Sequence, residues 1–394
     1  MHGVTPARDP FDAVTLEQLR RRTGTKWSSY AADVIPAWVA DSDAPMCPAV
    51  RSAIEGVLDA GDLGYPERAL PALVGEAFAE RMDVQFGWRA DATLVRPVTD
   101  VVHAFSWLID RYTATGDGVV LQAPVYPPFI EAVDRLERRL AFHELARDDR
   151  LGWRLDPEGV EAAVDDHTRV LVLVNPHNPT GRCFTSDELR AFGEVAIAHD
   201  LVVVADEIHA ELTHTAHHHI PFASLGSEFA ARTITLSSVS KAFNLGGLRG
   251  AVVHFGSSEL MERWDEIPAF HLGEVSTPSM VASIAAWRDG GAWLDDMRAA
   301  LTARRDRVAA FIAEHLPDLC WWPPQATYLA WLDMTTYELG DDPAAFFETQ
   351  ARVALSHGPE FGPPGRGFVR LNFATTVGVL DEVLERMVTA LDHR

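Results

Sequence analysis

The chain has 394 residues, of which 47% are hydrophobic and 23% charged, and a formal net charge of −23 at pH 7. That length exceeds what one hydrophobic core usually holds, so two domains are expected. The charge argues against nucleic-acid or anionic-membrane partners, which need a basic footprint, and favours small-molecule chemistry. The N-terminus carries no apolar run of signal-peptide length, and nowhere do 18 uncharged apolar residues run together, so a soluble cytoplasmic protein is expected. Cys47, Cys183 and Cys320 are odd in number and lack CxxC spacing, which predicts reduced thiols.

In chain order, residues 1–44, with Pro36 and the turn-rich "DSDAP", read as an arm and part of a smaller domain. Short β-branched runs follow at 93–98, 118–124, 169–175, 201–207, 232–238 and 250–255, and helical patterns at 100–115, 127–138 and 185–199 lie between several of them. Apolar runs without strict alternation, separated by helices, predict a mostly parallel sheet buried on both faces. This is an α/β large domain over residues 45–285. A helical stretch at 292–316, strands at 326–334 and 367–373, and an amphipathic helix at 377–392 predict a smaller α+β domain over 286–394.

Only two of the 34 basic residues are lysine, Lys26 and Lys241. Arginine forms the better ion pairs and cannot be deprotonated, whereas a lysine can lose its proton and act as a nucleophilic amine. Lys241, in "TLSSVSKAFNLGGLRGA", is therefore a candidate for covalent chemistry. Ligands of open parallel sheets bind beyond the carboxyl ends of the strands. Three predicted strands end in polar residues: at Asn175 and Asn178 of "NPHNPTG", at Asp206 with His209 close behind, and at Ser238, Ser240 and Lys241. Singly, each has a plain local role, since Asn-Pro opens turns and Asp or Ser caps helices.

Together they meet a more specific requirement. A lysine amine can link to an aldehyde cofactor, a buried carboxylate can keep a pyridine nitrogen protonated, and hydroxyls with the nearby Arg249 can hold a phosphate. Pyridoxal 5′-phosphate (PLP) needs these groups. No G-x-G-x-x-G, Walker or G-x-S-x-G motif is present, and "HTAHHHI" (214–220) reads as a solvated loop, so no metal is expected.

"NPHNPTG", "ADEIHAEL", "SSVSKAFNLGGLRG" and "FVRLNF" stand in an order that resembles the fold-type I PLP-dependent enzymes of the class I/II aminotransferase superfamily over nearly the whole chain. "GTKW", "WVADSD", "GYP", "PVYPPF", "DEIH" and "TYLAWLD" look most like the MalY/PatB-type cystathionine β-lyase (C–S lyase) subgroup. The resemblance implies that Lys241 carries the cofactor, Asp206 pairs with its ring nitrogen, Asn178 bonds its phenolate oxygen and Tyr126 stacks on its ring. It implies a phosphate site of Ser238, Ser240, Arg249 and the backbone amides near 99–102, Val101 among them. Arg370 would clamp the substrate carboxylate, with Asn178 and Tyr126 beside it. Tyr65 would reach the cofactor of a second subunit, which implies a homodimer. His209 stands where many aminotransferases carry tyrosine, which favours the lyase branch.

Asp100 departs from the pattern, standing where relatives have Gly or Ser at the phosphate turn, and Ser42 and Ala44 replace larger apolar residues. The expected reaction is β-elimination from cystathionine or a related L-cysteine S-conjugate, giving thiol, pyruvate and ammonia. The alternatives are an aminotransferase using the same residues and a non-catalytic PLP-binding regulatory protein.

Overall fold

A computed structural model describes residues 9–394. Its centre is a seven-stranded sheet: β1 (Val95–Val98), β2 (Gly118–Ala123), β3 (Arg139–Glu144), β4 (Thr168–Val174), β5 (Val202–Asp206), β6 (Thr233–Ser237) and β7 (Ala251–Phe255). The spatial order is β1-β7-β6-β5-β4-β2-β3. Strands β6, β5, β4, β2 and β3 pair in parallel, and only β7 is reversed, lying antiparallel to both β6 and β1. Both faces are covered. Val170, Val172, Val174, Val204, Ile234 and Leu236 pack on helices Val101–Tyr112 and Pro127–Arg135, while Leu171, Leu173, Val203 and Ala205 face helix Ser186–Ala198. Two apolar faces remove the alternation that a half-exposed strand would show.

Strand β3 was not expected from the sequence. It is an edge strand whose partly exposed "RLAFHE" mixes charge with apolar residues, so it lacks the apolar run that marks its neighbours. Helices Pro48–Asp59, Leu70–Phe86 and Thr277–Asp289 were likewise not predicted. The last two have hydrophobic residues around much of their circumference, because they are packed on several sides, and so give no clear stripe. The final helix, Val377–Asp392, follows its amphipathic pattern.

The C-terminal part holds a three-stranded sheet in which strand Phe368–Asn372 lies between Leu329–Asp333 and Ser356–His357. The segment Ala37–Asp43 runs beside it. The Asn372 N–H donates to Ala37 O at 2.8 Å, and Asn372 Nδ2 donates to the carbonyls of Val39 (2.6 Å) and Asp41 (2.8 Å). Lys26 fixes the far end of the segment. Its buried Nζ donates to Asp43 Oδ2 at 2.8 Å and to Asp41 O at 3.2 Å, and Trp27 Nε1 donates to Asp43 Oδ1 at 2.7 Å.

The "HTAHHHI" stretch is less solvated than expected. His214 and His219 are buried, the first with Nδ1 3.1 Å from Thr302 Oγ1 and the second with Nε2 3.2 Å from Glu207 Oε2. Only part of the loop faces water, because its two ends return to the core. Among the described residues no helix is long and apolar enough to cross a membrane.

Removing one member of a buried ion pair strands the other. Lys26→Ala should lower the unfolding free energy by about 3 kcal/mol, at the low end for such pairs because Trp27 still serves Asp43. Urea titration checks this, and a variant as stable as the parent would show that Lys26 does not hold the segment.

Candidate active site

Because β7 is reversed, its beginning and the ends of β1, β2, β4, β5 and β6 share one rim. One cavity there is lined by Val101, Tyr126, Asn178, Asp206, His209, Ser238, Ser240, Lys241 and Arg249, with Ala40 and Asp100. Nine of the residues singled out in the sequence are thus brought together. Arg370 joins through Asn178, whose Oδ1 accepts from Arg370 Nη1 at 3.0 Å. Tyr65 does not join: it is 94% exposed and lies beside Glu274–Pro278.

Lys241 lies on the short helix Val239–Ala242 that follows β6. Its Nζ donates to Ala40 O at 2.9 Å, and the buried Tyr328 hydroxyl donates to the same carbonyl at 2.8 Å. Packing around the amine lowers its pKa from the ordinary lysine value. Asp206, at the end of β5, is buried and accepts at Oδ1 from the Ile208 N–H at 3.1 Å. Burial pushes its pKa up to about 7, since the Ile208 amide and Lys241 only partly offset the loss of water.

His209 is held neutral, its pKa depressed to about 3 by burial and then by the charges of Lys241 and Arg370. Its Nδ1 is buried without a hydrogen-bond partner among the described residues. Tyr126 opens helix Pro127–Arg135, and burial raises its pKa, so it keeps its proton. Asn178 sits in the turn after β4, where Gly181 has φ 71° and an added Cβ would lie 2.3 Å from Pro324 Cβ. Glycine is needed there for both conformation and space.

Arg370, on strand Phe368–Asn372, is buried without a carboxylate partner among the described residues. Its Nη2 donates to Ser356 Oγ (3.0 Å) and Trp38 O (3.2 Å), and its Nε has no partner. Burial lowers its pKa to about 10. A buried guanidinium served only by neutral oxygens, with two of its five N–H groups unsatisfied, is poised for an anion.

At the opposite wall Ser238 caps its helix, as its plain local role predicts. Its Oγ accepts from the Ser240 N–H (2.9 Å) and donates to Gly250 O (2.7 Å), so its proton is engaged within the protein. Arg249 is paired with Asp100 Oδ2. Asp100 caps helix Val101–Tyr112 through Oδ1, which accepts from the His103 N–H at 2.9 Å. The Asp100 carboxylate thus serves the helix cap and the Arg249 guanidinium at once.

Sequence reading missed Tyr328, Ser356 and the carbonyls of Trp38 and Ala40. Tyr328 lies within the quoted "TYLAWLD", yet nothing local links it to a carbonyl 288 residues away.

These residues fit PLP. The amine has no carboxylate bound to it, the buried Asp206 lacks the cation that would ionise it fully, and the His209 Nδ1 is unpartnered. The fold and the lysine–carboxylate pair at its strand ends define a class of protein, and the chain belongs to the aminotransferase class I and II family, whose model matches residues 48–387. Within that family, a protein of Mycobacterium tuberculosis (strain ATCC 25618 / H37Rv), provisionally named a cystathionine beta-lyase, is 36% identical over 98% of this chain and 99% of its own length. Cystathionine beta-lyase PatB of Bacillus subtilis (strain 168) is 32% identical over 96% of this chain and 100% of its own. The PLP-bound C–S lyase of Staphylococcus hominis is 28% identical and superposes with a TM-score of 0.89 over 94% of this chain and 96% of its own.

A carboxyl whose folded pKa is raised contributes its stability below the unfolded value near 4 and loses it as pH rises through about 7. In the ligand-free protein, Asp206→Asn should therefore gain stability relative to the parent as pH rises from about 4 to 7, by up to ~4 kcal/mol. Unfolding titrations of both chains across that range test this, and a difference independent of pH would contradict the raised pKa.

Proposed function

We propose that this chain is a PLP-dependent carbon–sulfur β-lyase acting on cystathionine or a related L-cysteine S-conjugate. The observation that carries the reading is the buried Arg370, without a carboxylate partner among the described residues, bonded to Asn178 of a cavity that also holds Lys241 and the buried carboxyl of Asp206. The names and close similarity of the full-length relatives support the same reaction. Lys241 would hold the cofactor's aldehyde carbon and Asp206 its ring nitrogen. Asn178 and His209 would face its phenolate oxygen, and Tyr126 its ring. Ser240, Arg249, the Ser238 turn and the Val101 amide would face its phosphate. Residues 45–285 form the cofactor-binding unit in this reading, with 286–394 and the described part of the arm, residues 9–44, closing against it.

Bound PLP supplies an electron sink for the pair left when the substrate's Cα–H bond breaks. Arg370 takes the substrate carboxylate on its free Nε and a neighbouring N–H, which fixes Cα. The neutral amine of Lys241 removes the Cα proton, helped by the packing that lowers its pKa. The resulting ammonium is then the nearest acid to the departing sulfur, because His209 is neutral and Tyr126 holds its proton tightly. The Cβ–S bond breaks, the thiol leaves, and water converts the three-carbon product into pyruvate and ammonia.

Purified protein given L-cystathionine and no oxo acid should release pyruvate continuously, with a visible band that Lys241→Ala abolishes together with turnover. The band without pyruvate, and a new amino acid formed only when an oxo acid is added, would replace elimination by transamination. Arg370→Lys should lower kcat/KM about 100-fold, mostly through KM, because a point charge cannot reproduce the fork. Steady-state kinetics distinguish this from an equal loss in kcat, which would place Arg370 in the chemical step.

The reaction is assigned to the cytoplasm, in keeping with three free thiols. We also infer a homodimer in which Tyr65 enters the partner's cavity. Tyr65 is 94% exposed and lines one surface cleft with Leu63, itself 61% exposed. Tyr65→Ala and Lys241→Ala chains, each inactive alone, should recover about a quarter of parental activity when unfolded and refolded together in equal amounts, since half the dimers then carry one intact site. No recovery in a mixture shown to form dimers would place Tyr65 in its own subunit's site or outside any site.

A further inference from the structure

Asp100 opposes the ligand its wall is built to receive. Its Oδ1 takes the His103 N–H at the start of helix Val101–Tyr112, and its Oδ2 takes the Arg249 guanidinium. The two features on that wall that favour an anion, a helix N-terminus and an arginine, are therefore both occupied by a carboxylate of the chain itself. The nearby Ser238 hydroxyl is also committed, to Gly250 O. Asp100 is mostly buried, at 19% exposure, whereas the Arg249 side chain is 65% exposed, so the carboxylate is the less screened of the two.

Resting on the cofactor reading above, we infer that Asp100 is a resident competitor for the cofactor's phosphate. Phosphate binding takes Arg249 from Oδ2, while Oδ1 keeps the helix cap. The carboxylate is then left beside a dianion with its own counter-charge removed. Repulsion between these like charges weakens cofactor retention, and the tethered anion refills the wall each time the cofactor leaves. Asp100 thus sets how readily the chain exchanges its cofactor, without touching the reacting atoms. The opposing effect, a fixed direction for the arginine, is smaller. Arg249 is already placed by its backbone, which is left-handed at φ 57° directly after the turn Gly246–Leu248.

The test is Asp100→Asn in the holoenzyme. Asparagine caps helices as well as aspartate does, so the change removes charge and keeps the cap; Asp100→Ser, another good cap, serves as the second variant. Cofactor is removed by dialysis and titrated back, following the Lys241-dependent visible band, once with PLP and once with pyridoxal, which lacks the phosphate. Both variants should bind PLP about tenfold or more tightly than the parent, with pyridoxal affinity changed less than about twofold. Unchanged or weaker PLP binding overturns the inference, as does an equal gain for pyridoxal. A parent chain that takes up neither compound at Lys241 overturns the cofactor reading itself.

Discussion

A buried amine is useful only if nothing nearby keeps it permanently charged, and the two lysines of this chain meet burial in opposite ways. Lys26 has a carboxylate at 2.8 Å and a carbonyl besides, so its charge is compensated. Lys241 has one carbonyl, that of Ala40, and among the described residues no carboxylate within bonding distance. The carbonyl steadies the ammonium without the charge that would hold the proton, and the amine is released when the proton leaves. The two solutions are connected. Lys26 and Asn372 pin the segment Ala37–Asp43, and that segment presents Ala40 O to Lys241. A structural ion pair thereby positions the acceptor of the buried Lys241 amine.

The same economy governs the rest of the cavity. Asp206, His209 and Arg370 are each buried with less compensation than their chemistry allows, and each has its pKa moved by that burial. A core built for stability alone would pair Arg370 with a carboxylate. Leaving these groups unpaired costs stability in the free chain, and a ligand with the complementary charges restores it. The wall beside Arg249 follows the other policy, with Arg249 and Asp100 already paired in a more exposed position. The interior is therefore arranged to gain from ligand binding, whereas an anion proposed to bind at Arg249 must first displace an interaction.

Much of this was legible in the sequence because strand ends are local features. Asp206, Ser238 and Lys241 follow apolar runs directly, and a parallel sheet brings such ends to one rim. Arg249 reaches the same rim for a reason the sequence does not carry, namely that β7 runs backwards and starts where its neighbours finish. Contacts formed across long stretches of chain were invisible for the same reason: Tyr328 to Ala40, Arg370 to Trp38 and Asn244 to Ser42 have no local signal. Ser238 reads from sequence both as a helix cap and, through the resemblance, as a phosphate ligand; the cap is present, with its Oγ accepting from the Ser240 N–H and donating to Gly250 O.

The groups that would hold the cofactor do not by themselves select a reaction, because elimination and transamination both begin with loss of the Cα proton. What differs is where that proton goes next. Transamination returns it to carbon, whereas elimination delivers it to a leaving sulfur. In this cavity Lys241 is the group best able to do either, since His209 lacks a second proton near neutral pH and Tyr126 is a poor acid. With Lys241 as the proton carrier in the proposed reading, the outcome falls to the substrate: a thiolate at Cβ opens the elimination route, and a substrate without such a leaving group has only reprotonation at carbon. In the proposed reading, a neutral His209 leaves proton delivery to Lys241 and ties the reaction's outcome to the leaving group of the substrate that Arg370 would hold.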